Sequence, residues 1–439
     1  MQTTLTTDHP RIQPESATDS GWQPATRILF RFGLVYLTLF CLLYPQITYA
    51  FAGWFQHVLP ERAVLWQLDL FAPVYRWIGR HVFGVDAVVH ESGSGDQTVF
   101  WVLLFFVLVT ALLVTAVWSV LDRRRTEYRV LAGWFLLFVR LCLAGQLVLY
   151  GMAKAIPVQM PRPALSTLLE PYGNFTPAAV LWSQVGSSQP YEILLGAAEL
   201  VAGLLLFVPR TALLGTMLGV VSLAQVFVLN LTFDVPVKVL SGHLLLLGLV
   251  LLAPEARRLL NVLLLEGSAG PSTTPNPFRT VMSRRRATLA QAALALWVTL
   301  SFAVLDWHDY REATARPPLY GIWVVTGYER DGRPVPPGTD PDRWQKLIID
   351  TAGALTYQRA DGSLETTEAT VDSTAHRLNL PGPDPQGTFD FRQPDPHRLE
   401  LTGRLDDHPV TMTLNWLDPN SFPQRSRGFH WIQEEPAFR

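Results

Sequence analysis

Apolar residues run in long blocks up to about residue 305, and in short alternating stretches after residue 317. A bilayer core of roughly 30 Å is crossed by about 20 apolar residues in helical form. Seven stretches meet that length, at approximately Ile28–Tyr49, Val99–Leu121, Val130–Met152, Tyr191–Val208, Thr211–Asn230, Pro236–Ala253 and Ala287–Leu305. Beyond them, Lys346–Asp350, Leu355–Arg359, Arg398–Gly403 and Val410–Trp416 alternate apolar and polar positions, and Asp361-Gly362 is a hairpin signal. About eight such strands with tight turns predict an antiparallel barrel or sandwich. Its inward candidates are Trp323, Leu355, Tyr357, Phe389, Phe391, Leu399, Leu401, Met412, Leu414 and Trp416. The predicted fold class is thus an α-helical polytopic membrane bundle followed by an all-β domain.

Basic residues orient the helices, because cytoplasmic loops carry excess Lys and Arg. The second loop reads Asp122-Arg123-Arg124-Arg125, the fourth holds Arg210, and the sixth carries Arg257, Arg258, Arg279 and Arg284-Arg285-Arg286. The fifth has no arginine. With the even loops inside, residues 1–27 form a cytoplasmic tail, expected to be disordered. Residues 28–262 form a six-helix bundle, 263–286 a flexible cytoplasmic linker, 287–305 a seventh helix that exports the tail, and 317–439 an external β domain. Ala50-Phe51-Ala52 allows cleavage after the first stretch, while its long apolar core favours a retained anchor. Trp54, Trp66, Phe71, Tyr75, Trp77 and Phe83 predict interfacial segments in the first external loop.

Composition narrows the classes. Charged residues make up 16% of the chain and the net charge is −2, against roughly a quarter charged in ordinary soluble proteins. A cytosolic enzyme, a basic nucleic-acid binder and a disordered chain do not fit. Cys41 and Cys142 lie in apolar blocks with no C-x-x-C, and read as packing residues. His57, His81 and His90, with Glu91 and Asp96, match no zinc spacing. A single histidine inside a span disfavours bis-histidine haem.

Ionisable residues within membrane segments are functional candidates. Arg140 in the third helix and Glu199 in the fourth fall near the expected midplane, with Gln146, Gln225 and His243 in the outer half. Tyr150, Lys154, Glu192, Asn230, Asp234 and Lys238 fall at the outer ends, outlining a polar funnel, and the second and seventh helices carry nothing comparable. Glu192, Gly196, Glu199 and Gly203 share one helical face; Arg140, Ala144, Leu147, Gly151 and Lys154 share another. Facing the two stripes pairs Arg140 with Glu199, as a proton relay or as a buried pair that sets register. His243 is either a satisfied bundle histidine or a proton donor to a ligand carbonyl. Of only three lysines, Lys154 and Lys238 sit at the funnel mouth, as titratable groups or as snorkelling anchors.

Two resemblances add expectations. Arg140, Tyr150-Gly151-Met-Ala-Lys154, Leu169-Glu-Pro-Tyr-Gly173, Glu199 with Gly203, Asn230-Leu-Thr-Phe-Asp234-Val-Pro-Val-Lys238 and Ser241-Gly-His243 resemble the DoxX/DoxD-like membrane family, over most of residues 27–262. Arg31-Phe-Gly and Gly93-Ser-Gly-Asp96 resemble its long, multi-helix branch. The resemblance implies a bacterial inner-membrane protein, in some relatives a subunit of quinone-linked oxidoreductases. Gly321-Ile322-Trp323, followed late by Arg427-Gly-Phe-His-Trp, resembles the lipocalin-like signature and implies an arginine packed across the Trp323 indole. Three functions remain open. The first is a quinone-linked redox component acting with a redox partner protein, Arg140, Glu199 and His243 relaying protons and the funnel residues holding the ligand. The others are a non-catalytic scaffold recruiting a partner through the β tail, and a proton-coupled transporter or lipid-handling protein. No haem or metal motif is present, and the expected partners are the lipid bilayer and a protein, not nucleic acid.

Overall fold

The computed structural model describes residues 21–268, 270–436 and 438; the expected disordered tail lies outside these up to residue 20. The helices are α1 (Pro24–Leu43), α2 (Pro45–Tyr49), α3 (Trp66–Ile78), α4 (Thr98–Leu121), α5 (Arg129–Ala155) and α6 (Pro177–Gly186). They continue with α7 (Gln189–Phe207), α8 (Ala212–Thr232), α9 (Lys238–Leu252), α10 (Ala256–Leu263) and α11 (Val281–Thr314). Among the described residues seven segments are long and apolar enough to cross a membrane: α1, α4, α5, α7, α8, the run Lys238–Leu263 and α11.

These match the seven predicted stretches, with the largest shifts at the ends of the first, sixth and seventh; the sixth runs on to Leu263. The first ends at Leu43 rather than Tyr49. Pro45 has no N–H to donate and forces Tyr44 out of the helical region, to ψ 117°. The last extends to Val281 and Thr314, begun by a reciprocal cap in which Thr280 and Ser283 satisfy each other's backbone N–H. The first long loop is ordered, with α3 at its centre. Trp54, Trp66, Trp77 and Phe83 are exposed on it, while Tyr75 is buried. The central helix is α5, which touches α1, α7, α9 and α11. Phe40, Leu103, Leu143, Leu147, Phe207 and Leu247 form the middle of the shared core.

The C-terminal part is a ten-stranded antiparallel sheet curled into a nearly closed barrel. Its strands are β1 (Gly321–Arg330), β2 (Arg333–Pro334), β3 (Lys346–Ile349), β4 (Ala354–Gln358), β5 (Leu364–Glu368), β6 (Thr370–Asp372), β7 (Arg377–Leu380), β8 (Gly387–Asp395), β9 (Arg398–Leu405) and β10 (His408–Leu417). The hydrogen-bonded order is β5-β4-β3-β1-β10-β9-β8-β7-β6, with β2 on β1. The two ends of this order, β5 and β6, are neighbours in sequence. Ala369 alone separates them, so the chain itself bridges the gap. Period-two alternation sends Leu399 and Leu401 of β9, and Val410, Met412 and Leu414 of β10, inward. Gly403 is required between them: a Cβ there would lie 2.0 Å from the Thr388 carbonyl of β8. Gly362, at φ 90°, turns the predicted Asp361-Gly362 hairpin between β4 and β5.

The barrel is seated on the loop between α5 and α6. Leu165 from that loop is fully buried with Ile322 and Ile348 on the outer face of β1 and β3. The Leu165 N–H donates to Asp350 Oδ2 at 2.6 Å. Arg425, in the short helix α12 (Pro423–Ser426), donates to the Pro163 carbonyl at 2.9 Å.

Candidate functional site

Small residues bring α5 and α7 into backbone contact. A Cβ at Gly151 would lie 2.4 Å from Leu200 N, and one at Gly196 would lie 2.4 Å from Ala155 N. Gly203 meets Val148 in the same way at 3.0 Å. This is the close approach that small-residue faces permit between apolar helices. The helices run antiparallel, so Glu199 stands opposite the last turn of α5. There Lys154 Nζ meets Glu199 Oε2 at 2.6 Å, with both side chains 6% exposed.

Polar groups surround this pair. Lys154 Nζ lies 5.6 Å from the centroid of the Tyr150 ring. The Tyr150 hydroxyl accepts from Gln46 Nε2 of α2 at 2.8 Å, and the Gln46 carbonyl accepts from Gln146 Nε2 at 3.1 Å. Glu192, two turns before Glu199, is fully buried. Its Oε1 accepts from Met160 N–H at 2.9 Å, and its Oε2 has no partner among the described residues. Met160 lies five residues before Leu165, so one short loop joins the charge cluster to the barrel's seat.

The expected Arg140–Glu199 pair is corrected by this arrangement. Arg140 and Lys154 are fourteen positions apart, roughly 21 Å along a helix. The 19-residue α7 docks on the C-terminal half of the 27-residue α5. Equal fractional depth in helices of unequal length is therefore not equal height. The Nη2 of Arg140 instead donates to Gln291 Oε1 of α11, and its Nε has no partner among the described residues. The seventh span thus carries a polar partner that the pattern of charged residues had not indicated.

The remaining funnel residues bind one another. Asn230 Nδ2 donates to Ser241 Oγ at 3.0 Å, and Lys238 Nζ meets Asp234 Oδ1 at 2.8 Å. The Asp96 carboxylate accepts from the backbone N–H groups of Lys238 and Val239, both at 2.9 Å, and so caps α9. These contacts clip the α8–α9 turn to the start of α4. His243 sits deeper. Its Nδ1 lies 2.7 Å from the Val239 carbonyl, which can only accept, so Nδ1 carries a hydrogen. In the neutral ring Nε2 then accepts from the Tyr36 hydroxyl at 2.9 Å, and the ring stacks on Phe40 at 4.0 Å.

In the barrel, Trp323 is 1% exposed and donates from Nε1 to the Leu319 carbonyl at 2.8 Å. Arg427 is not packed across that indole. It is exposed beyond α12 and donates to Gln433 at 3.0 Å, because Arg425 draws the chain toward Pro163 as it leaves β10. Sequence reasoning missed Gln46, Gln291 and Tyr36. Each is a lone polar group in the first or the seventh stretch, a signal overlooked when only helices three to six are compared.

No protein-family model matches the chain, and no solved structure matches it. Among curated proteins it is similar to the uncharacterized protein YwoB of Bacillus subtilis (strain 168), at 31% identity over 123 residues, covering 28% of this chain and 78% of YwoB.

Proposed function

This chain belongs to the family of YwoB, whose name states no activity, and we propose that it is a quinone-linked redox component of the bacterial inner membrane that handles protons at Lys154 and Glu199. In this reading the seven helices cross the bilayer, the N-terminus is cytoplasmic and the lipocalin-like barrel is external. The resemblance to DoxX/DoxD-like proteins supplies the quinone and the electron-donating partner protein. The carrying observation is the buried Lys154–Glu199 pair. Taking two charges out of water costs several kcal/mol per ion, and apolar residues of similar volume are often as stable. A pair kept at such a position, beside a tyrosine hydroxyl and a second carboxylate with a free oxygen, suits proton transfer better than packing. Reduction of a quinone to a quinol takes up two electrons and two protons. The partner supplies the electrons, and Glu199, Lys154 and Tyr150 pass the protons.

The test is mass spectrometry of molecules extracted from the intact protein in mild detergent. Wild type is expected to retain quinone stoichiometrically, and Glu199→Gln to lose it. Equal retention in both, or none in wild type, would remove the reading.

One observation favours a second reading, a scaffold that recruits a partner through the barrel. Trp323, Tyr357, Phe389 and Met412 fill the barrel core, which leaves its outer surface as the part able to bind. In that case Lys154→Met/Glu199→Met keeps the cellular phenotype, and loss of residues 317–439 abolishes it.

A further inference from the structure

The middle of α5 holds a cation in a different setting. Arg140 donates to the neutral Gln291, its Nε is unpartnered, and no acidic side chain pairs with it among the described residues. A guanidinium at such depth costs about 2.5–3.5 kcal/mol on insertion scales, and a counter-charge would offset that. Gln291 lines a groove of about 310 Å³ between α5 and α11, whose apolar walls are Leu137, Leu141, Ala290, Leu294 and Phe278. The inner end of this groove is framed by the linker, where Phe278 packs edge-on against Trp134 and its carbonyl accepts from Arg284 Nε at 3.1 Å.

Arg284, Arg285 and Arg286 are exposed at the start of α11. Gln291 follows Arg286 by five positions, roughly 7–8 Å along the helix. The groove therefore has a basic rim, apolar walls, and a guanidinium beside its one polar wall residue. A lipid with an anionic phosphate head and an acyl chain matches both the rim and the walls.

We propose that this groove binds an anionic phospholipid from the leaflet that α11 enters at Arg284–Arg286. The phosphate lies against the arginine rim, the ester oxygens accept from Arg140, and one acyl chain runs along Leu137, Leu141 and Leu294. Arginine suits this role because its fork offers several donors to neighbouring oxygens. The site depends on the chain crossing a membrane and not on quinone chemistry.

Native mass spectrometry of the full chain, titrated in mild detergent with phosphatidylglycerol or phosphatidylcholine, tests it. Phosphatidylglycerol is expected to be retained preferentially. Arg140→Gln should weaken that retention about tenfold, and Arg140→Lys less, as one charge-assisted contact is worth. Gln291→Leu, which leaves the guanidinium in place, should keep the preference and controls for a general packing defect. Equal retention of the two lipids by wild type, or unchanged phosphatidylglycerol retention in Arg140→Gln, would overturn the proposal. Displacement of phosphatidylglycerol by oleate at lower concentration would make the occupant a carboxylate and overturn the phosphate assignment. A protein that keeps phosphatidylglycerol and carries no quinone would break only the redox reading.

Discussion

The middle and the C-terminal turn of α5 carry the same charge in opposite surroundings. At its C-terminal end, Gly151 and Gly196 let α7 approach until backbones touch, and Lys154 finds Glu199 at 2.6 Å. Near its middle the neighbour is α11, held off by Leu137, Leu141 and Leu294, and among the described residues Arg140 donates to Gln291 and meets no acidic side chain. What differs is not the cation but the size of the residues beside it. Small residues close one seam and allow two buried charges to pair. Large ones leave the other seam open. Glycine spacing, more than charge spacing, decides which ionisable groups in this bundle meet.

The largest expected effect follows from closing that difference by force. Gly151→Leu places a side chain where a Cβ is already 2.4 Å from Leu200 N. Overpacking typically costs about 1–3 kcal/mol, and more where backbone must shift; here the shift also breaks the ion pair. The variant should give little monodisperse protein on size-exclusion chromatography. Gly173→Ala is the control, since nothing lies within 4 Å of a Cβ there. A well-folded Gly151→Leu would mean that the α5–α7 contact is looser than described.

Next comes the pair itself. Lys154→Met leaves Glu199 buried without its cation, a change that costs about 3–5 kcal/mol. Lys154→Met/Glu199→Met should recover most of that loss in thermal unfolding. Arg140→Met loses one hydrogen bond but also relieves a buried cation of its burial cost, and so should cost less than Lys154→Met in lipid-free detergent. Equal losses at Lys154 and Arg140 would erase the contrast between the two positions.

A smaller effect is expected at the loop that ties the Lys154 end to the barrel. Leu165→Ala removes a fully buried side chain. The cost should fall at about 2–3 kcal/mol, the low part of the range for such truncations, because a loop can collapse onto the space. Faster proteolysis between α5 and α6, with both the bundle and the barrel still folded, is the signature. An unchanged cleavage rate would mean that the barrel does not depend on this contact.

Much of this architecture is legible from pattern alone. The seven apolar stretches and the alternating strands reflect burial along one chain, and burial is periodic. Of the ten inward candidates in the barrel, Phe391 and Trp416 are partly buried against the core and the other eight lie within it. The charge pairing was not legible, because it depends on the offset between two helices. Arg140 and Glu199 share a fractional depth, while the offset is set by Gly151 against Leu200 and Gly196 against Ala155. Gln46 and Gln291 escaped notice because they lie in the first and seventh stretches, outside the helices whose polar residues were compared, although they donate to Tyr150 and accept from Arg140. The Leu165 contact with Ile322 and Ile348 joins segments 157 and 183 positions apart, and no local pattern reports it.

The smallest expected effect concerns what steadies α5 where α11 stands off. Just before the helix, Tyr128 accepts from Arg31 through Nε at 3.0 Å and Nη2 at 2.6 Å, and its hydroxyl donates to Asp122 Oδ2 at 2.8 Å. Arg31 also donates to Ser119 Oγ at 2.8 Å and to the Asp122 carbonyl at 2.9 Å. This end of α5 is thus fastened to α1 and α4 through side chains rather than by backbone contact. The Tyr128 hydroxyl, helped by the Trp118 indole and by Arg125 and Arg31, holds the Asp122 carboxyl below the usual carboxylate range. A group lowered on folding adds stability that is fully present above its unfolded value and is lost as the pH falls through its folded one. Asp122 should therefore add its stability undiminished at neutral pH, where thermal stability does not vary with its titration, and that stability should be lost as the pH falls from the ordinary carboxylate value through the lowered one. Asp122→Asn should flatten that acid limb without affecting the Lys154 end. The change should be slight, because solvent reaches Asp122 and screens it. An acid limb unchanged in Asp122→Asn would place the acid-sensitive contact elsewhere and leave Arg31 and Tyr128 as a neutral clamp.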